Sequence, residues 1–183
     1  GEDKMISPSD RIDYKILFEN DPELATAAAA RVKITCPLHE NANPTTTFLG
    51  QYGFGNYIFE VPPMSTYYNT RHDLADSLGV WVDVNAGIDV ENNEMFWIFQ
   101  SVDPETGVAP VDTIGFLPVN DTLTGCGEGF VTFSVMCEND MITGDTISEQ
   151  ANIIFDDNDN ILTNTYTNMF DAVPPTSVTV CDT

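Results

Sequence analysis

The sequence predicts an all-β protein, a mainly antiparallel β-sandwich with at most a short helix. Two observations lead to this class. Most segments alternate apolar and polar residues with a period of two, and turn-forming residues separate about eight to ten such segments. Hydrophobic residues make up 42% of the chain, which is enough for a packed core. A length of 183 residues fits one large all-β domain, and we expect residues 1–183 to form a single module.

The first strands are the clearest. Arg11–Glu19 alternates and places Ile12, Tyr14 and Ile16 on one face, and residues 31–35 repeat the pattern. The alanine-rich residues 23–30 between them have high helix propensity. That segment spans only about two turns and has no amphipathic stripe, so we expect a short helical turn or coil there.

The middle of the chain is less regular. Residues 37–75 are rich in Gly, Pro and aromatic residues, and we expect a long irregular insertion there. Within it, residues 45–61 are β-like, and two prolines end that stretch. Residues 78–84 and 94–101 then alternate well, and the polar link between them predicts a hairpin.

Late strands are expected at residues 129–136, 148–155 and 161–166, with a terminal strand at 177–180. Two prolines, Pro174 and Pro175, interrupt the pattern near the end of the chain. We interpret residues 172–183 as a linker to a following domain.

The charge is strongly negative and unevenly placed. The chain has 29 Asp and Glu residues against 6 Lys and Arg residues, a formal net charge of −23. Such a surface repels phosphate backbones and anionic lipids, so we expect neither a nucleic-acid partner nor insertion into a membrane. Arg71 is the last cation, and residues 72–183 contain 20 acids. We interpret most of these acids as a solvated surface, and the densest cluster as a candidate cation site.

The four cysteines, at positions 36, 126, 137 and 181, form no CxxC pair, so a zinc site is not expected. An extended strand between Cys126 and Cys137 keeps its ends roughly 30 Å apart, too far for a disulfide. Pairing of Cys36 with Cys137 and of Cys126 with Cys181, other pairings, and a fully reduced chain stay open.

The acidic loop after residue 155 is the best candidate metal site. It contains five oxygen-bearing side chains in succession: Asp156, Asp157, Asn158, Asp159 and Asn160. Ca²⁺ takes about six to eight oxygen ligands, and short acids and amides on a curved loop supply them. The loop lacks the Gly and Glu that complete an EF-hand. An Asx-rich hairpin turn requires the same residue types, so a plain turn is the alternative interpretation.

Two Asp-Pro-Glu segments are candidates for additional calcium ligands, if folding brings them beside that loop. They contribute Asp21 with Glu23, and Asp103 with Glu105. Each segment also fits an ordinary turn in which Pro fixes φ at the second position.

Catalysis has little support. His39 and His72 are the only histidines, and neither has a nucleophile placed beside it in a recognisable motif. We therefore expect that the chain is not an enzyme.

Carbohydrate binding is the alternative function. It would use aromatic rings from a Gly- and Pro-punctuated region as a stacking platform, with Tyr52, Tyr57, Tyr67 and Tyr68 as the candidate residues. This hypothesis requires at least two of the rings to lie coplanar and exposed.

Several segments resemble the Ig-like "conserved repeat" modules of large secreted or surface-anchored bacterial proteins. They are residues 12–20, 32–35, 96–107, 115–120, 127–135, 151–156 and 168–175. The usual Ala-x-Ile-x-Phe-Asp-x-Asn stretch falls on residues 151–158 and gives Asp156 and Asn158 a recurring place in the pattern. The chain departs from the pattern at Asn164, where Pro is usual, and in having four cysteines.

The resemblance implies an Ig-like sandwich and an extracellular or cell-surface location. It also implies a non-catalytic structural or adhesion function, and it supports either ion binding or a turn at Asp156 and Asn158. The expected partners are other domains of the same surface protein, a glycan, or a host or cell-surface protein.

Overall fold

The computed structural model describes residues 5–111 and 113–173. Within these ranges the chain forms thirteen strands and one four-residue helix. In chain order they are β1 (Met5–Ile6), β2 (Arg11–Glu19), β3 (Arg31–Pro37), β4 (Ala42–Phe54), β5 (Tyr57–Phe59), β6 (Tyr67–Leu74), α1 (Ala75–Leu78), β7 (Val80–Asp89), β8 (Glu94–Val102), β9 (Glu128–Cys137), β10 (Thr146–Glu149), β11 (Asn152–Phe155), β12 (Ile161–Leu162) and β13 (Tyr166–Phe170). The helix is too short to cross a membrane, and the described residues contain no other.

The strands form a sandwich, which confirms the predicted fold class. One sheet has six strands in the order β12-β11-β3-β8-β7-β6, and the other has four in the order β2-β9-β4-β5. Aromatic rings from the two sheets meet between them. Phe18 and Tyr52 of the four-stranded sheet lie 5.9 and 5.8 Å from Phe99 of the six-stranded sheet, between ring centroids. This contact layer is the hydrophobic core.

The strict alternation in β2 produces its register. Every second residue of β2 is buried, and the strand pairs with β9 over its whole length. Tyr14 lies opposite Phe133, and their rings stack at 5.1 Å between centroids. Because β2 pairs only with β9, its other edge is a margin of the sandwich.

Residues 37–75 are more regular than the sequence predicts. They contain β4, β5 and β6, and β6 is the edge strand of the six-stranded sheet. The aromatic residues Tyr52 and Phe54 of β4 are buried in the core. The pairing of β4 with β9 shifts register twice, which accommodates the irregular spacing of apolar residues in this strand. The prediction of an irregular insertion is therefore wrong for most of this segment.

The predicted hairpin between residues 78–84 and 94–101 is present as β7 and β8, which pair from Trp81 with Val102 to Asp89 with Glu94. The alanine-rich segment at 23–30 forms turns, with Ala29 in an isolated bridge to Leu117.

The predicted strand at 148–155 is split at a corner. β10 lies in a three-stranded sheet with β13 and β1, whereas β11 belongs to the six-stranded sheet. Gln150 and Ala151 form the corner between them. The Ala151 N–H donates to Thr163 Oγ1 at 3.0 Å, and the Thr163 N–H donates to the Ala151 carbonyl at 2.9 Å. The partner segment is divided at the same place: β12 pairs with β11, and β13 pairs with β10.

Cys36, Cys126 and Cys137 are unbonded thiols in the described part of the chain. Cys36 and Cys137 therefore do not pair with each other. Cys181, the terminal strand at 177–180 and most of the predicted linker lie outside the described residues.

Candidate binding surface

The six-stranded sheet has one face against the core and one face turned away from it, which we call the outer sheet face. Alternation along each strand assigns the side chains to this face. Neighbours across the strands are Ile154, Lys33, Ile98, Asn85 and Asn69 in one row, and Leu162, Asn152, Thr35, Phe96, Gly87 and Tyr67 in the next. A third row contains Arg31, Gln100, Asp83 and Arg71.

Apolar side chains occupy a large part of the outer sheet face. Trp81, Phe96, Ile98 and Ile154 are half-buried, yet none belongs to the core cluster or packs against it. Tyr67 is 59% exposed, and Leu162 is also exposed. A sheet face that is solvated on one side is ordinarily polar, so this apolar content is unusual for a surface without a partner.

Gly87 leaves space for two of these aromatic rings. A Cβ atom at Gly87 would lie 3.0 Å from Tyr67 Cδ2 and 3.2 Å from Phe96 Cζ. The two rings on the flanking strands therefore lie over the position that a side chain would occupy.

The charge on this face differs from the rest of the molecule. It has three of the six cations, Arg31, Lys33 and Arg71. The acids that share it are Asp73, Asp83, Asp89 and Glu94. Three positive and four negative charges leave a formal charge of −1 on the face, against −23 for the chain.

Arg71 has a fixed position. Its Nε and Nη2 donate to the two carboxylate oxygens of Asp83 at 2.5 and 2.7 Å. The guanidinium carbon lies 5.1 Å from the centre of the Trp81 ring. The hydrogen bonds from Arg71 lower the pKa of Asp83, and those to Asp83 raise the pKa of Arg71. The pair is exposed, so its main effect is to orient the guanidinium over the indole.

The predicted calcium loop is a turn between β11 and β12. Asp156 has φ of 51° and is partly buried. Its Oδ1 accepts hydrogen bonds from the N–H groups of Ala30 and Arg31, at 3.0 and 2.8 Å. Asn160 Nδ2 donates to Asn152 at 3.2 Å. Asp156 therefore ties this turn to the start of β3.

The other residues of the loop, Asp157, Asn158 and Asp159, are exposed. Over residues 5–111 and 113–173, no group of three or more His, Cys, Asp or Glu side chains is arranged to hold a metal ion. One carboxylate oxygen of Asp156 is already occupied by N–H groups at the start of β3.

The two Asp-Pro-Glu segments are Asx turns. Asp21 Oδ1 accepts from the N–H of Glu23 at 2.8 Å, and Asp103 Oδ1 accepts from the N–H of Glu105 at 2.7 Å. Backbone hydrogen bonds lower the pKa of Asp103. In the described part of the chain, no hydrogen bond or ion pair joins either turn to the loop at residues 156–160.

The four candidate tyrosines do not form the predicted stacking platform. Tyr52 is 1% exposed, because it packs between the sheets and its hydroxyl lies 2.7 Å from His72 Nε2. Tyr57 and Tyr68 are partly buried and pack against the core. Tyr67 alone of the four is an exposed ring. The assignment of Tyr52 to glycan stacking is therefore wrong.

His72 belongs to the same aromatic layer. Its ring stacks on Phe59 at 3.7 Å between centroids, and burial lowers its pKa. His72 therefore packs between Tyr52 and Phe59 as part of the aromatic layer.

The sequence contained a signal for the outer sheet face. Arg31, Lys33 and Thr35 alternate with the inward Val32 and Ile34. The same alternation places the apolar Phe96 and Ile98 on the outward side of β8. Neither residue is an acid or a tyrosine, so neither was among the candidate site residues.

Fold and surface together define a mainly antiparallel β-sandwich with an apolar, nearly neutral sheet face. Residues 111–169, less than half of the chain, match the family model of a domain of unknown function, DUF7619. No curated protein matches the chain.

Several solved structures are similar over most of the chain. The collagen-binding domain of a Staphylococcus aureus adhesin has 8% identity and a TM-score of 0.42, covering 91% of this chain and 92% of that one. ACE19, the collagen-binding subdomain of the Enterococcus faecalis surface protein ACE, has 11% identity and a TM-score of 0.38, covering 92% of each chain. AvmM, which catalyses macrocyclization in alchivemycin A biosynthesis, has 12% identity and a TM-score of 0.37, covering 98% and 89%. Similarity at this level assigns no function to the present chain.

Proposed function

We propose that this chain is a non-catalytic, extracellular adhesion module of a bacterial surface protein, and that it binds a protein partner through the outer sheet face. The observation that carries the proposal is the composition of that face. It combines half-exposed Trp81, Phe96 and Ile98 with an almost neutral charge, on a molecule whose net charge is −23.

The apolar side chains supply the free energy of association. Protein interfaces are enriched in aromatic residues and Arg, and their centres lack unpaired charges. Trp81 and the Arg71 guanidinium held over it provide both residue types in one contact. The flat sheet also presents rigid side chains, which lose little conformational entropy on binding.

The charge distribution favours a protein over a nucleic acid or an anionic membrane. Outside the outer sheet face the acids dominate and repel anionic partners. On the face itself, Arg31 and Lys33 leave room for a carboxylate of the partner. The partner we expect is a protein surface with exposed apolar side chains and a few acids, either on another protein or on a neighbouring domain.

A peptide display library is the probe for this function. Peptides selected on the wild-type chain are tested against Ile98→Ser, which changes the outer sheet face. The matched control is Ile58→Ser, since Ile58 is an exposed apolar residue of the four-stranded sheet. We expect peptides rich in apolar residues whose affinity falls about tenfold or more in the Ile98 variant and is unchanged in the control.

Peptides that bind the wild type and the Ile98 variant equally would contradict the proposal. A glycan array run on the same proteins separates the alternative function. Specific glycan binding that is lost in a Tyr67→Ala variant, together with failure of the peptide selection, would favour a carbohydrate-binding module built on Tyr67 and Phe96.

Calcium stabilisation of this module is a separate proposal that rests on the sequence of the loop at residues 156–160. Titration calorimetry with calcium tests it, with Asp157→Ala as the variant, because Asp157 is exposed and its carboxylate has no hydrogen bond in the structure. Saturable heat and a raised melting temperature that both disappear in the variant would support calcium binding. No heat in the wild type would remove it.

A further inference from the structure

A cavity of about 320 Å³ opens at the margin of the sandwich, away from the outer sheet face. Its mouth lies between β2 and the corner where β10 passes into β11. Thr163 and Asn164 form the far rim. Inside, the cavity is lined by Tyr14, Phe133 and Glu149. Cavities of this size accept small ligands or a single long side chain.

Glu149 is the charged group of this cavity, and it is 5% exposed. Its Oε1 accepts from the N–H of His39 at 3.2 Å, and its Oε2 accepts from the Cys36 thiol at 3.8 Å. Neither contact neutralises a carboxylate. The only ion pair in the described residues is between Arg71 and Asp83. Glu149 therefore has no cationic partner there, and burial raises its pKa to about 7.

The Tyr14 hydroxyl is an unsatisfied polar group of the same cavity. Tyr14 is 7% exposed and lines the cavity, and its oxygen has no hydrogen-bond partner of good geometry. The Asn168 amide is close enough to lower the pKa of this phenol against the larger effect of burial, but its Nδ2 is also unsatisfied. A buried hydroxyl without a hydrogen-bond partner destabilises the folded chain. A ligand that donates a hydrogen bond to it removes that destabilisation.

The other charged residues of the lining form no ion pair with Glu149. The Lys15 ammonium lies 4.2 Å from the centre of the Phe130 ring, on the exposed side of the four-stranded sheet. Asp13 is exposed and lines the cavity together with Lys15, which lies on the same face of β2, so the two opposite charges cancel there. The cavity thus combines a buried carboxylate, an unsatisfied hydroxyl and aromatic walls.

We propose that this cavity binds the alkylammonium group of a primary amine, either as a free amine or as a lysine side chain of a partner. The ammonium group has three donors and one positive charge. It forms an ion pair with Glu149 and donates a hydrogen bond to Tyr14, and its alkyl chain packs against Phe133 and Ala151. Aromatic walls and a buried carboxylate are together the environment that selects a cation over a neutral molecule of equal size.

The proposal does not depend on the protein-binding role of the outer sheet face. The cavity lies at the opposite margin from β6. Cys36 lines it from the inward side of β3, and the cavity shares no residue with the outer sheet face. Either site can therefore fail in experiment without consequence for the other.

Nuclear magnetic resonance titration of the whole chain at about pH 8 is the test. The probes are n-butylamine, Nα-acetyl-lysine methylamide, and n-butanol as the neutral molecule of matched size. We expect saturable shifts of β2 and Ala151 resonances at about millimolar amine. Binding of both amines supports a site for either source, and binding of one alone identifies the source. No effect of either amine, or equal binding of n-butanol, would overturn the proposal.

Two variants assign the contacts. Glu149→Gln keeps the shape of the side chain and removes its charge, and we expect affinity to fall about tenfold or more. Tyr14→Phe removes only the hydroxyl, and we expect a loss of several-fold with the fold intact. Glu91→Gln is the control, because Glu91 is exposed and equally changes the net charge by one. Unchanged affinity in the Glu149 variant would also overturn the proposal.

Discussion

Replacing Glu149 with Gln should make the protein more stable at alkaline pH and should have little effect near pH 5. Burial raises the pKa of Glu149 from its ordinary value of 4.5 to about 7. Between these two values the folded chain holds a proton that the unfolded chain releases. Stability therefore falls as the pH rises through this window, and the full cost is present above the folded-state pKa. Gln has no such cost because it does not ionise.

The magnitude follows from the same pKa values. An elevation of this size corresponds to about 3 kcal/mol of destabilisation once the group is ionised. Near pH 5 the unfolded chain is only partly deprotonated, so less than 1 kcal/mol of it applies. The stability of the Gln variant relative to the wild type should thus increase by about 2.5 kcal/mol between about pH 5 and about pH 8.5.

Urea denaturation at these two pH values measures the effect. The chain carries many other acids, so the informative quantity is the difference between variant and wild type at each pH. Glu91→Gln provides the baseline for the loss of one exposed charge. A difference that stays constant with pH for Glu149→Gln would refute the assignment of a buried, partly protonated carboxyl to this position.

Three further changes test other contacts. Asp156→Ala should lower stability by about 2–3 kcal/mol in thermal melts, because two N–H groups lose their acceptor and Ala disfavours positive φ; Asp156→Asn should be nearly neutral. Gly115→Ala should lower stability by about 3 kcal/mol or more in the same assay, since its Cβ would lie 2.2 Å from the Ala29 carbonyl oxygen. Iodoacetamide should label Cys126 at least about tenfold faster than Cys36, whose burial raises its pKa, as followed by peptide mass spectrometry.

Each of these has an outcome that contradicts it. Equal melting temperatures for the Ala and Asn variants of Asp156 would mean that its carboxylate oxygen is not an important acceptor. For Gly115, the comparison is Gly79→Ala, where the added Cβ meets no atom and only the positive φ of 74° is unfavourable. Equal losses at both glycines would refute the steric clash. Equal labelling rates would show that Cys36 is accessible.

The sandwich itself could be predicted because its strands repeat a simple rule. In β2 and β3 every second residue is buried, and the sequence shows this alternation directly. The hairpin of β7 and β8 follows from the same rule and a polar link. Residues 37–75 were harder, because a bulged strand such as β4 loses the period of two where its register shifts.

The sites could be predicted only in part. Asp156 stood out in the sequence, but the residues that meet it, Ala30 and Arg31, are more than a hundred positions earlier. Glu149 looked like one more acid among 29, since nothing local shows that a corner in the strand turns it into the interior. Long-range pairing decides both cases, and a single sequence does not encode such pairing in any local pattern.

The parallel pairing of β1 with β13 has a mechanical consequence. Met5 and Ile6 lie beside Met169 and Phe170 and run in the same direction, so the chain enters this pair at one end and leaves it at the other. Pulling the two flanking segments apart loads the hydrogen bonds of the pair together, in shear, and does not peel them open one by one. The hydrogen bond from the Asp171 N–H to the Ile6 carbonyl, at 2.9 Å, adds one more link between the two segments, just beyond the end of β13. Tension applied in this direction therefore acts on the β1–β13 pair, whereas the two larger sheets of the sandwich contain neither strand.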